Sequence, residues 1–262
     1  MARRPTLSPS KITCYLACPQ QYYWTYVNPR GKWYLRTRST YSFGLSLHRV
    51  LEKFYDEREQ GVTTTHQALA ALEETWIEAG YSSAEEMQEA LGEGKAILSQ
   101  YLEEIELRPI EGTTLHVEHR LKHAMDTWDL IGRADRIVER ADGAIDVFDY
   151  KSGRRDVSPE EVATDIAMTA YAAMARTQYP DRPIQATLIP LRGGEPATHR
   201  FTNEELDEFL FAVKELGDKI LNHEWAELDP VPKSICPHCD FIKLCSRDPR
   251  YAEALGDQNR EM

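Results

Sequence analysis

Residues 128–153 read WDLIGRADRIVERADGAIDVFDYKSG, and the fold turns on how this stretch doubles back. Trp128 to Glu139 and Ala144 to Lys151 read as two strands around Ala141-Asp142-Gly143, where Asp-Gly is a strong hairpin-turn signal. Asp135 and Asp149 each stand seven residues from Asp142, so a hairpin turning there sets them opposite one another on neighbouring strands. Strand residues two apart share a face, which puts Lys151 beside Asp149. Two carboxylates and a lysine make a site for a hard divalent cation such as Mg²⁺ or Mn²⁺, with the lysine placed to orient or deprotonate an attacking water. That is the chemistry of phosphodiester hydrolysis. The same residues taken alone also read as a surface salt-bridge ladder, and a slip of one residue would turn the carboxylates apart.

Working outward, Ser158-Pro159-Glu160-Glu161 combines a capping box with proline at the first helical position and predicts one helix to about Gln178. Ile184 to Leu191 reads as a further strand, and Asn203 is expected to cap a helix whose apolar face is Leu206, Phe209, Leu210, Val213, Leu216 and Ile220. On the other side, Leu115, Val117 and Leu121 alternate with His116, Glu118 and Arg120, as in a half-buried strand. The region before it is helical. Ser8-Pro9 opens a short helix that Pro19 ends just after Cys18, and Gly44 to Glu59 carries Leu47, Val50, Leu51, Phe54 and Tyr55 at helical spacing with His48 on the stripe's edge. Leu69, Leu72 and Trp76 mark another helix; Met87, Leu91, Leu98, Tyr101 and Ile105 mark the next, opened by Ser83 with Glu86 as a capping box. This order predicts one α/β domain over residues 1–262: a helical insertion at 44–108, a core at 113–201, a helix at 203–222, and a closure of the two ends, 1–30 with 231–262.

The 262 residues are 42% hydrophobic and 28% charged with 14 Gly and 14 Pro, which excludes disordered and collagen-like chains. No apolar run approaches the roughly 18 residues of a membrane span, and no secretory signal opens the chain, so a cytoplasmic location without membrane contact is expected. The net charge of -12 argues against a protein that coats nucleic acid. Its distribution is uneven, however: Met1 to Leu51 holds eight basic residues and no acid, against 23 basic and 43 acidic residues in the remainder. The basic stretch also carries Tyr15, Tyr22, Tyr23, Trp24, Tyr26, Trp33, Tyr34, Tyr41 and Phe43. Basic groups interleaved with aromatics suit phosphate contact and base stacking on single strands, while the plainer alternative is a basic surface over core aromatics.

All five cysteines lie near the ends: Cys14 and Cys18, then Cys236, Cys239 and Cys245. The last three form a CxxC-x5-C arrangement that lets three thiolates reach one centre. Metal binding is the expectation over disulfides, and zinc is its generic reading.

The motifs GRADRI (Gly132–Ile137) and DYKSG (Asp149–Gly153) resemble the GRxDRI and DYKTG signature of RecB-like PD-(D/E)XK nucleases. Phe43-Gly44 to His48, leading to Leu51-Glu52, resembles that family's FGxxxH helix. Leu7-Ser8-Pro9-Ser10-Lys11 to Cys18-Pro19-Gln20-Gln21-Tyr22-Tyr23 is similar to its opening motif. The resemblance implies a restriction-endonuclease-like core, a mixed sheet flanked by helices. It makes His48, Asp135 and Asp149 metal ligands together with the Tyr150 main-chain carbonyl, and Lys151 the water-activating group, with His48, Asp135, Asp149 and Lys151 as the catalytic set. Glu118 stands where such proteins often carry a glutamate and is kept outside that set. The family's QLxxY is represented by Ala167-Met168-Thr169-Ala170-Tyr171, and alanine at the glutamine position implies weakened or altered activity. In the relatives that include AddB and the CRISPR-associated adaptation exonucleases, one cysteine before proline joins three C-terminal ones around a 4Fe-4S cluster. Cys18, Cys236, Cys239 and Cys245 match, and Cys14 is then a buried small residue.

The implied function is a Mg²⁺- or Mn²⁺-dependent DNA exonuclease acting on single strands or frayed ends in recombination, repair or CRISPR adaptation. Its substrate would be held by the basic N-terminal segment and Arg154 or Arg155, and a helicase or CRISPR integrase would be its partner. Two alternatives stand beside it: a DNA-end binding subunit with weak or no catalysis, and a structural zinc protein whose hairpin is coincidental.

Overall fold

Serine, threonine and aspartate caps divide this chain into its elements. In a computed structural model that describes residues 4–56, 62–153 and 156–258, these are β1 (Thr6–Leu7), α1 (Pro9–Ala17), α2 (Pro19–Tyr22), α3 (Ser39–Tyr55), α4 (Thr65–Thr75), α5 (Ala84–Leu107), β2 (Thr113–Ala124), β3 (Asp129–Glu139), β4 (Ile145–Lys151), α6 (Pro159–Thr164), α7 (Ile166–Gln178), β5 (Ile184–Pro190), β6 (Ala197–Phe201), α8 (Asn203–Leu221), α9 (Ile242–Cys245) and α10 (Pro249–Gln258). A π turn (Tyr23–Val27) and a 3-10 turn (Pro29–Trp33) follow α2.

By compactness the chain divides into one unit of Met1–Thr6 with Thr37–Val213 and a second of Leu7–Arg36 with Lys214–Met262. In the first, β2, β3 and β4 form an antiparallel meander. β4 then pairs parallel with β5, and β5 pairs antiparallel with β6. The sheet is therefore mixed, and the parallel step is bridged by α6 and α7, as a crossover requires. α7 packs along β2, β3, β4 and β5. Helices α3 to α5 share a core with the sheet, in which Leu47, Val50, Leu51, Leu72, Leu98 and Leu102 pack with Val138, Phe148, Tyr150 and Ile189.

The second unit ties together the two ends of its sequence. The Tyr15 hydroxyl pairs with His223 Nδ1 at 3.0 Å, Lys233 Nζ donates to the Ala17 carbonyl at 2.7 Å, and Trp225 stacks on Tyr22 with centroids 5.5 Å apart.

Several local expectations change. α3 starts at Ser39 rather than Gly44, and Glu59 lies outside the described residues. The helix expected from Pro159 to Gln178 is two helices broken at Asp165, whose Oδ1 accepts from the N–H groups of Ala167 and Met168 and so opens α7. As a cap, Asp165 takes an extended backbone (φ -70°, ψ 121°) through which the preceding helix cannot run. The cap of α8 is Thr202, not Asn203: Thr202 Oγ1 accepts from Glu205 N at 3.1 Å while Glu205 Oε2 accepts from Thr202 N at 2.7 Å. At α5, Ser83 Oγ accepts from Glu86 N at 3.1 Å, but the Glu86 carboxylate turns to Ser82 rather than back to Ser83. The alternation read into β2 is interrupted by a register shift between Thr114 and His116 and by Glu118 at φ 48°.

Candidate active site

The β3–β4 hairpin turns at Gly143, whose φ of 82° is a left-handed conformation glycine accepts, while Asp142 Oδ1 accepts from Ala144 N. The ladder then pairs Glu139 with Ile145 and continues to Arg136 with Phe148. One further step in that register sets Asp135 against Asp149. There the strands exchange a side-chain bond, with Tyr150 N donating to Asp135 Oδ2 at 2.8 Å. Lys151 Nζ lies 2.7 Å from Asp149 Oδ2. From α3, His48 Nδ1 stands 3.3 Å from Asp135 Oδ1, and His48 Nε2 donates to the Tyr150 carbonyl at 2.9 Å. The hairpin and the histidine helix thus meet, and His48, Asp135, Asp149, Lys151 and the Tyr150 carbonyl form one continuous cluster.

Glu118 completes it. Ligand atoms of His48, Glu118 and Asp135 all lie within 4.8 Å of one another, close enough to hold one metal ion. Glu118 also meets Arg133, with Oε2 2.6 Å from Nε. Its left-handed backbone is unusual for a residue with a Cβ, and such strain gathers at functional sites. A signal for Glu118 was present in the sequence. The β2–β3 register pairs Val117 with Arg136 and His119 with Ala134, so Glu118 faces Asp135 as Asp135 faces Asp149. Counting across the second turn, at Asp126-Thr127, would have shown three acids in a row.

The charges are crowded. Burial, and then the Asp135 charge, push the Asp149 carboxyl up to about 6 against the pull of Lys151 and His48. Glu118 is pushed up to about 7 by burial and by Asp135, with Arg133 opposing. At His48 burial disfavours the charged ring, yet the Asp135 hydrogen bond and the charges of Asp135, Asp149 and Glu118 outweigh it and lift the pKa to about 9. Burial likewise works against the Lys151 ammonium, and Asp149, Asp165 and Asp135 reverse the balance, raising its pKa. Four carboxylates, Glu118, Asp135, Asp149 and Asp165, act here against three cations, His48, Lys151 and Arg133, and oxygen-rich crowding with one imidazole suits a hard divalent ion.

Buried packing holds the arrangement. The Arg136 guanidinium lies 3.9 Å from the Tyr55 ring centroid, and its Nε donates to Thr114 Oγ1 at 2.9 Å. Tyr55 stacks nearly parallel on Tyr150, and its hydroxyl meets that of Tyr101 at 2.8 Å. This fixes the Tyr150 ring and so aims its main chain. On α7, Tyr171 packs so closely over Gly132 that a Cβ there would lie 2.6 Å from its ring. The acids Asp149, Asp135, Asp165 and Glu118 add to burial in raising the Tyr171 phenol's pKa, so its hydroxyl belongs to the same electrostatic site. Ala167, one turn earlier, is half-buried. Arg154 and Arg155 lie outside the described residues.

In the second unit, Cys239 and Cys245 lie within electrostatic reach of both Cys18 and Cys236, and Lys233 N donates to Cys236 Sγ at 3.2 Å. Burial first, then the neighbouring thiols, push Cys245 up to about 12. Cys14 is half-buried rather than buried, and it is near enough to Cys18 and Cys239 to be affected by both.

A hairpin end crowded with carboxylates, beside one lysine and one histidine, defines a candidate divalent-metal site on a mixed α/β sheet. The chain matches the family model of the PD-(D/E)XK nuclease superfamily over residues 6–246. It belongs to that superfamily, and its mixed sheet flanked by helices is consistent with a restriction-endonuclease-like core. Among solved structures, SSO0001 is similar at 12% identity and a TM-score of 0.40, covering 94% of this chain and 87% of that one. A Eubacterium rectale protein named "Putative exonuclease" is similar at 12% identity and a TM-score of 0.39, covering 78% of this chain and 92% of that one. No curated protein matches the chain. Among the described residues no helix is long and apolar enough to cross a membrane.

Proposed function

We propose that this nuclease-superfamily protein is a Mg²⁺- or Mn²⁺-dependent DNA exonuclease of the RecB-like type, acting on single strands or frayed ends. The observation that carries this reading is the convergence of His48, Glu118 and Asp135 ligand atoms within 4.8 Å, beside the Asp149–Lys151 pair. His48, Asp135, Asp149 and the Tyr150 carbonyl would hold the ion, with Glu118 as a further carboxylate. Bound there, the cation supplies Lewis-acid polarisation of the scissile phosphate and acidifies a water. Lys151, kept protonated by its acidic neighbours, donates hydrogen bonds that orient the attacking water and offset charge on the phosphate. Tyr171 closes the site from α7, and the basic N-terminal segment with Arg154 or Arg155 grips the strand.

The donor set of the second unit suits an iron-sulfur centre. Cys18, Cys236, Cys239 and Cys245 would hold a 4Fe-4S cluster whose role is structural, closing the ends of a single nuclease domain. Such thiolate chemistry fits a reducing cytoplasm. Anaerobically purified protein should absorb near the violet edge of the visible spectrum and lose that band in Cys18→Ala, whereas a colourless preparation containing zinc would overturn the cluster. A recombination, repair or CRISPR-adaptation assembly, with a helicase or integrase as partner, is the setting this reading implies.

The deciding experiment is cleavage of single-stranded DNA, labelled separately at each end, with Mn²⁺ or Mg²⁺, alongside Asp149→Ala and Lys151→Ala. Metal-dependent release by the wild type alone supports the reading, and the label released gives the polarity. Binding without cleavage would favour a DNA-end binding subunit, a reading that Ala167 in place of the family glutamine specifically supports.

A further inference from the structure

The turn after α2 is built to hold one indole in solvent. The π turn Tyr23–Val27 closes with Asn28 N donating to the Tyr23 carbonyl at 2.8 Å, and the Asn28 side chain binds at both of its ends: Nδ2 donates to the Tyr23 hydroxyl at 2.7 Å, while Oδ1 accepts from Arg30 N at 3.0 Å. Gly31 then presses against the preceding turn so tightly that a Cβ would fall 1.7 Å from the Trp24 carbonyl oxygen, an approach only glycine permits. Farther along, Arg36 N donates to Asp240 Oδ2 at 3.2 Å. Between these anchors Trp33 is 88% exposed, and Arg30, Lys32 and Arg36 are exposed with it. All of these residues belong to the second unit.

A tryptophan offers roughly 150–250 Å² for burial, and Trp33 leaves nearly all of its surface open to a ligand. A π turn, a closely packed glycine and a doubly bonded asparagine order the backbone that carries it, and π turns recur at functional sites. The flanking side chains are cationic, and no acid occurs between Met1 and Leu51. A flat π-face between cations matches a nucleobase with its phosphates, because every base has a π-face and the cations meet the backbone on either side.

We propose that Trp33 is a base-stacking platform for single-stranded DNA, with Arg30 and Lys32 contacting the flanking phosphates. This deepens and rests on the nuclease reading above, and it names the feature by which the protein prefers unpaired bases. In duplex DNA the base faces are covered by their neighbours, so the platform discriminates strands by stacking.

The test uses the full-length holoprotein carrying Asp149→Ala, with fluorescein-labelled 12-nucleotide single strands and a blunt hairpin duplex as probes, read by anisotropy. Trp33→Ala should weaken single-strand binding by about 5- to 150-fold and leave duplex binding within about twofold, while Trp33→Phe keeps most of the affinity. Thermal unfolding and the cluster's absorbance should be unchanged, because the side chain is in solvent. Lys32→Ala should instead make binding less salt-dependent, by about 0.7 in slope for each phosphate that it ceases to neutralise. Single-strand binding that stays within about twofold in Trp33→Ala overturns the proposal, leaving the indole to a protein partner, and so does an equal loss on both probes. Cleavage by the Asp149-intact protein separates the two readings. Trp33-dependent binding without cleavage refutes the nuclease and keeps the platform; cleavage of single strands at equal KM in wild type and Trp33→Ala does the reverse.

Discussion

Manganese binding to the holoprotein should release protons, and their number reports which side chains take the ion. Without metal, both ring nitrogens of His48 are engaged, toward Asp135 and the Tyr150 carbonyl, and its pKa is lifted to about 9. Glu118 stands at about 7 and Asp149 at about 6. At pH 7 these values leave His48 almost fully, Glu118 about half and Asp149 about one-tenth protonated. An ion that takes all three displaces more than one proton, and one held by His48, Asp135 and Asp149 without Glu118 displaces about one. At pH 8 both numbers approach about 1, and affinity should rise about tenfold from pH 7 as His48 gives up its proton more readily. Isothermal titration of Mn²⁺ in two buffers of different ionisation heat counts the protons directly. Stoichiometric binding at pH 7 that releases fewer than about 0.5 protons would refute His48 as a ligand.

Gly132→Ala should drive a methyl into Tyr171 and Met174, whose atoms lie 2.6 and 2.7 Å from the new Cβ. Overpacking of this kind costs about 1–3 kcal/mol, seen as a melting temperature lower by roughly 3–10 °C. Asp165→Ala removes the acceptor for two N–H groups at the start of α7 and should cost about 1 kcal/mol in thermal unfolding. In EDTA, Glu118 should make stability fall as pH rises. Its folded pKa of about 7 lies above the ordinary glutamate value of 4.5, so its contribution is complete below that value and is lost through pH 7. Glu118→Gln should flatten the melting-temperature profile across that window, and an unchanged slope would contradict the assigned burial.

The parts of the fold legible from sequence are those set by short-range rules. Ser8, Ser83 and Ser158 each accept from the N–H group three residues on, because a serine cap needs only the backbone it begins. The hairpin register followed from a turn signal and a count, which brought Asp135, Asp149 and Lys151 together without knowledge of anything farther away. His48 was reachable only through its motif, since nothing in residues 39–55 says where that helix will pack. Asp165 was missed because one carboxylate serves as helix breaker and helix cap, and an uninterrupted capping and apolar pattern concealed the break. β6 was missed because Ala197–Phe201 carries little apolar pattern of its own, and its strand form comes from pairing with β5.

Composition, spacing and turn chemistry by themselves determined the α/β class, the acidic hairpin and the grouping of cysteines toward both ends, because each depends on interactions between near neighbours or on counting alone. Only the tertiary structure decided that His48 reaches Asp135 and the Tyr150 carbonyl, that Tyr171 closes over Gly132, and that Trp33 stays in water while Gly31 is pressed into its neighbour. Each of these depends on a backbone bent out of its regular path or on two segments distant in sequence, and no local propensity encodes the energy of that meeting.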